Sequence, residues 1–156
     1  MSTHPVSPEN YFHTAFVVSD LEQAAKALTA AAGYRWTNVL TAEQAIRFGD
    51  EEHLLKARIL YSIDAPYIEL VEERPGTIWE MVPGNSPHHI GYFVDDLDEA
   101  IRVMEDSGFS MEACLVDNGR WPAMLAYMSH PLGMRIELVQ RGAFGDWQEF
   151  ILANQA

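Results

Sequence analysis

Apolar positions along this chain recur in two rhythms, and each rhythm is written twice. A run rich in aromatic and β-branched residues, "HTAFVV" at 13–18, predicts a strand, and "HIGYFV" at 89–94 predicts another. Each is followed by a cap-like Asp, acidic residues in the first turn and a Gly beyond the end, in "SDLEQAAKALTAAAG" and "DDLDEAIRVMEDSG". Leu21, Ala24, Ala25 and Leu28 recur at helical spacing in the first, and Leu97, Ile101 and Met104 in the second. Each segment therefore predicts an amphipathic helix. After each helix the chain returns to strand-like runs broken by Gly, Pro and Asn: "ARILYSI" and "YIELVE", then "AMLAYMS" and "RIELVQ".

The two passages align residue by residue. With His13 on His89, Val18 falls on Val94, Asp20 on Asp96, Leu21 on Leu97 and Ala24 on Ala100. One residue of slippage then sets Gly33-Tyr34 on Gly108-Phe109, and "YIELVE" at 67–72 reappears as "RIELVQ" at 135–140. Two matches in the same order indicate a duplicated unit of one strand, one helix and two or three further strands. The expected organisation is a single domain over 1–156: module one at 10–75, a proline-rich connector with one buried Trp at 76–87, module two at 88–141, and a C-terminal helix at 142–154. That helix, with Trp147, Phe150, Ile151 and Leu152, would cover a sheet edge or meet a second subunit.

Composition narrows the partners. A chain of 156 residues with 48% apolar and 21% charged residues has the usual balance of a folded domain. Its formal charge of -13 repels nucleic acid and anionic membrane surfaces, and no run approaches the ~20 apolar residues of a membrane span. A lone Cys114, and a start without the basic and apolar features of a secretion signal, point to a cytoplasmic protein.

Side chains in a strand alternate faces. His13, Ala15 and Val17 share one face of their strand, and His89, Gly91 and Phe93 the corresponding face of theirs. Ile68, Leu70, Ile136 and Leu138 would pack against the helices, leaving Glu69 and Glu137 in apolar runs but pointing the other way. A mid-strand carboxylate buried without a partner costs several kcal/mol, so something must pair with each. A single strand histidine reads more readily as a hydrogen-bonded structural residue, but His and Glu at matched phase in both copies change that reading. If the first and last strands of the units lie side by side, two imidazoles and two carboxylates converge as ligands of a divalent transition metal.

The remaining candidates are weaker. His88 points to the other face and reads as a strand-edge residue, His130 as a turn residue, His53 as part of a solvated charged stretch, and His4 as part of the end of the chain. Arg135 would pair with Glu137 or bind an anionic part of a substrate. Phe93, Tyr67, Trp36, Trp79, Trp121 and Tyr127 are candidates to line an apolar substrate cleft, or else simply core.

The motifs "FHTAFVVSDLEQA", "HHIGYFVDDLDEA", "YIELVE" and "RIELVQ" together resemble the vicinal oxygen chelate superfamily, which includes glyoxalase I, methylmalonyl-CoA epimerase, extradiol dioxygenases and bleomycin- or fosfomycin-resistance proteins. The resemblance implies an α+β fold: two tandem βαβββ modules forming a cupped mixed sheet around a metal site, with helices outside. It places the ligands on His13, Glu69, His89 and Glu137 and implies one divalent ion, Zn, Ni, Co, Mn or Fe(II). The complete set favours the glyoxalase and epimerase branch, because extradiol dioxygenases use two histidines and one carboxylate. Glutathione is not expected, since Val17 and Glu73 stand where glyoxalase I carries an Arg and an Asn. A CoA ester fits so acidic a chain only if Arg35, Arg47, Arg58 or Arg120 cluster.

The implied reaction is that of an isomerase or lyase. A metal chelates vicinal oxygens of a small hydrophobic carbonyl substrate, and Glu137, with Glu69 as counterpart, shuttles a proton through an enediolate. Glu51 and Glu52 are weaker candidates for a second base. The alternatives are an Fe(II)-dependent dioxygenase and a metal-free binding or resistance protein. A homodimer is expected, and the site could be built within one chain or shared between two.

Overall fold

The computed structural model describes residues 4–156. Among these residues, eight strands and two α-helices follow the doubled pattern, and a third α-helix comes after it. Module one comprises β1 (Tyr11–Val18), α1 (Leu21–Ala32), β2 (Leu40–Phe48), β3 (Glu51–Tyr61) and β4 (Ile68–Glu72). Module two comprises β5 (His89–Val94), α2 (Leu97–Asp106), β6 (Ser110–Val116), β7 (Leu125–His130) and β8 (Met134–Gln140), and α3 (Trp147–Ala153) follows. The strands are hydrogen-bonded in the order β1-β4-β3-β2-β6-β7-β8-β5. β1 runs parallel to β4 and β5 parallel to β8, while the pairings β3/β4, β6/β7 and β7/β8 are antiparallel, so the sheet is mixed. The fold is the α+β, twice-βαβββ class expected.

Both module helices start as their sequences dictate. The Asp20 carboxylate accepts the Gln23 backbone N–H and the Asp96 carboxylate that of Glu99, each at 2.9 Å, which satisfies one of the donors left over at a helix N-terminus. α1 ends on Gly33 at φ 77°, a left-handed cap that suits a residue without Cβ. The α3 cap is Asp146, accepting the Glu149 N–H.

Packing divides the chain into two compact units that interleave in sequence. The first gathers His13–Glu43, Lys56–His88 and Phe144–Ala156. In its core, Leu21 and Ala25 of α1 lie on Leu60 of β3 and Leu70 of β4, with Leu28, Trp36 and Ile68 around them. A chain of ion pairs ties the helix to the sheet: Arg58 bridges Glu22 of α1 and Glu72 of β4, and Arg74 holds Glu72 from the other side at 2.8 Å. The second unit gathers the described residues up to Phe12, Gln44–Leu55 and His89–Ala143. Here Ala100, Ile101 and Met104 of α2 pack on Cys114, Ala126, Met128 and Leu138. Ala45–Phe48 of β2 pair antiparallel with Ala113–Val116 of β6.

Two strands escaped location by pattern. β2, "LTAEQAIRF", buries only Ile46 and exposes much of its first half, and β6, "SMEACLV", has Ala, Cys and Met where β-branched residues would signal a strand. Their ladder partners, rather than their own propensities, make them strands. The stretch Glu51-Glu52-His53 is likewise the exposed start of β3. The connector carries no regular element and does bury its Trp79.

Leu138 is completely buried beneath α2, so Leu138→Ala is expected to lower unfolding free energy in urea by about 2–5 kcal/mol. Arg74 and Arg58 hold the Glu72 carboxyl below the usual carboxylate range. The folded chain therefore binds that proton more weakly than the unfolded one. The stabilisation is complete above the ordinary Glu pKa and is lost as pH falls through the lowered folded value. Glu72→Gln should make the decline of stability below about pH 5 shallower, as read by denaturant midpoints across a pH series.

Candidate functional site

Each unit places one imidazole against one carboxylate. In the first, His13 of β1 and Glu69 of β4 are 0% and 3% exposed, and His13 Nε2 lies 3.2 Å from Glu69 Oε2. In the second, His89 of β5 and Glu137 of β8 are 2% and 4% exposed, with Nε2 and Oε2 at 3.4 Å. Strand pairing explains how the contact arises. Parallel register sets Glu69 opposite Ala15 and Glu137 opposite Gly91, each two residues past the histidine and on its face. A side chain no larger than a methyl there leaves room for the carboxylate to reach back to the imidazole.

A tyrosine completes each set. Tyr61 of β3 is the antiparallel partner of Glu69, and Tyr127 of β7 that of Glu137. Both are buried, with ring centroids 5.8 Å from His13 and 5.1 Å from His89 respectively. Tyr127 was among the expected lining residues. Tyr61 was missed, although the repeat carried the signal: "ARILYSI" and "AMLAYMS" each hold a Tyr on the strand before the Glu.

The donor set suits a transition metal. Imidazole nitrogen and carboxylate oxygen are ligands for Zn, Ni, Co, Mn or Fe(II). Two such atoms, each about 2.1 Å from one ion, stand about 3.0 Å apart at a right angle and about 3.4 Å apart in a tetrahedron. The two His–Glu separations match that range. Within each unit the donors thus fit neighbouring positions on one ion.

The other expected residues fall as follows. Phe93 stacks on Phe12 at 4.2 Å, and the Tyr67 hydroxyl accepts from Gln148 Nε2 at 3.3 Å. Trp36 lies in the core under α1, with its indole N–H donating to Thr29 Oγ1, so it belongs to the helix side. Trp121 is half exposed, its ring 4.3 Å from the Arg47 guanidinium. Arg135 is held by Glu112 through two bonds of 2.8 and 3.0 Å. Glu51 and Glu52 are exposed, and Glu51 accepts from His53. His88 is buried and structural, donating from Nε2 to the Ile78 carbonyl at 2.6 Å. His130 Nδ1 accepts the Leu132 N–H in the turn after β7.

Comparison with known proteins bears on this architecture. The family described as the Glyoxalase/Bleomycin resistance protein/Dioxygenase superfamily matches residues 12–127. No curated protein sequence is similar enough to be matched. Among solved structures, a methylmalonyl-CoA epimerase in complex with methylmalonyl-CoA and ammonium superposes with a TM-score of 0.57 at 21% identity, over 86% of this chain and 95% of that one. A variant Streptomyces coelicolor methylmalonyl-CoA epimerase in complex with 2-nitronate-propionyl-CoA gives 0.57 at 21% identity over 86% and 98%. The Mycobacterium tuberculosis methylmalonyl-CoA epimerase gives 0.54 at 20% over 90% and 91%. These likenesses establish a shared fold. With the family match spanning most of its length, the chain belongs to the glyoxalase/bleomycin resistance protein/dioxygenase superfamily, built on the vicinal oxygen chelate fold.

Proposed function

We propose that the two His–Glu pairs are halves of one divalent-metal centre and that the protein is an isomerase or lyase, moving a proton next to the carbonyl of a small hydrophobic substrate. One observation carries the reading: a buried carboxylate set against a buried imidazole occurs twice, at equivalent positions of a repeat, with donor atoms that each suit a transition metal. His13, Glu69, His89 and Glu137 would hold it. A bound divalent ion would supply Lewis acidity toward a substrate oxygen.

Glu137 is assigned as the principal acid/base and Glu69 as its counterpart, because a carboxylate can both bind a metal and carry a proton, which a neutral imidazole ligand cannot do while coordinated. Tyr61 and Tyr127 cover the imidazoles with ring surface and keep water from them. A site from which water is excluded strengthens each charge interaction within it.

Charge argues for a substrate without a polyphosphate handle. Arg35 is engaged by Asp64, Arg58 by Glu22 and Glu72, Arg74 by Glu72, Arg135 by Glu112 and Arg141 by Asp95. With those cations engaged and a net charge of -13, the chain is poorly suited to the phosphates of a CoA ester, despite the ligands in the epimerase structures. A free carbonyl compound with adjacent oxygens and an apolar substituent fits better.

Metal analysis of the purified protein should give one divalent ion per chain. Two per chain would assign each pair its own ion, and none after reconstitution would refute the centre. Excess metal at about 100 times its Kd should add about 2.7 kcal/mol of unfolding free energy, and His13→Ala or His89→Ala should each abolish that gain. With a substrate in hand, solvent deuterium should enter at the carbon beside the carbonyl without oxygen. Glu137→Gln should slow that exchange by about 10²–10⁴-fold. An absolute need for oxygen would turn the assignment to a dioxygenase.

A further inference from the structure

The aromatic contact on His13 continues outward. Trp147, the first residue of α3, meets Tyr61 edge-on at 4.7 Å and 83°, and Tyr61 in turn lies against His13. Trp147 is itself held by Phe150, stacked at 5.4 Å, and by Phe144 at 5.9 Å. A column of rings thus runs from the C-terminal helix to an imidazole.

The residues after α3 act on the same tyrosine through its backbone. Asn38 donates its N–H to the Asn154 carbonyl at 2.6 Å and its amide Nδ2 to Asn154 and Gln155, while the Ala156 N–H donates to the Trp36 carbonyl. Between those anchor points sits Thr37, 1% exposed. Its N–H donates to the Tyr61 carbonyl at 2.9 Å, and its Oγ1 accepts the Tyr61 N–H at 3.2 Å. Ring and main chain of Tyr61 are therefore both fixed by the segment that includes α3.

We infer that Tyr61 and Trp147 are positioning residues for His13, and that the seating of α3 sets how well this histidine presents its ring nitrogen to the metal. The inference rests on the reading of His13 as a ligand. A terminal ring torsion is soft, so an imidazole's direction is set by what packs on it. Edge-to-face rings supply directional contact, and partners behind metal ligands typically change affinity by about 10–100-fold. If Trp147 and Tyr61 were only core, their loss would cost stability and leave the metal's surroundings alone.

The full-length protein reconstituted with Co(II) tests this through metal affinity and the visible ligand-field spectrum, beside thermal unfolding of the metal-free form. Trp147→Ala should weaken Co(II) binding about tenfold and shift the visible bands. Trp147→Phe should restore both, Tyr61→Leu should reproduce the defect, and Leu152→Ala, an exposed position on the same helix, should leave both unchanged. If Trp147→Ala fails to fold, Tyr61→Leu decides alone. Lower stability with wild-type affinity and spectrum overturns the positioning role and leaves the metal centre standing. Wild-type protein that binds no Co(II) overturns the centre itself, and this inference with it.

Discussion

A carboxylate at the middle of an apolar strand is the constraint around which this chain is organised. Buried charge is tolerated only with a partner, and the parallel ladders supply it by setting Ala15 opposite Glu69 and Gly91 opposite Glu137. In both modules the position opposite the acid is held by a small residue. Because β1/β4 and β5/β8 are parallel pairs, neither can close through a hairpin, and α1 with β2 and β3, then α2 with β6 and β7, form the crossovers they need.

Much of this was legible because the duplication doubled each signal. A lone His13 carried little information, but His13 with His89, and Glu69 with Glu137, at the same phase of matching strands, singled out the two buried pairs proposed as the site. The helix caps at Asp20 and Asp96 were equally plain, since capping is local chemistry. β2 and β6 stayed hidden because their strand character comes from ladder partners distant in sequence. Tyr61 went unnoticed for a different reason: a tyrosine in a strand looks like core until its opposite residue is known, and the register Tyr61 opposite Glu69 is tertiary information. The Arg135–Glu112 pair is of the same kind, since nothing in the sequence sets those two residues side by side.

The arginines bear on the proposal that a shared fold here admits a different substrate. The epimerase structures that superpose on this chain hold CoA esters, yet here five guanidinium groups are spent on internal carboxylates. Two proteins can share a doubled βαβββ frame and differ in what they admit, because admission depends on side chains the frame does not dictate.

The interleaving of the two units has a consequence for how the molecule comes into being. Gln44–Leu55, from the middle of module one, pack with residues 89–143, and β2 finds its β6 partner some seventy positions downstream. A growing polypeptide that has emerged only through module one holds an orphaned hairpin tip and lacks the Phe144–Ala156 segment of its own unit. Each unit is therefore complete only once residues from both repeats are present, despite the similarity of the two. Such distant pairings slow folding and prolong exposure of unpaired strand edges, so this duplicated chain should depend on completing its length before either half becomes safe from aggregation.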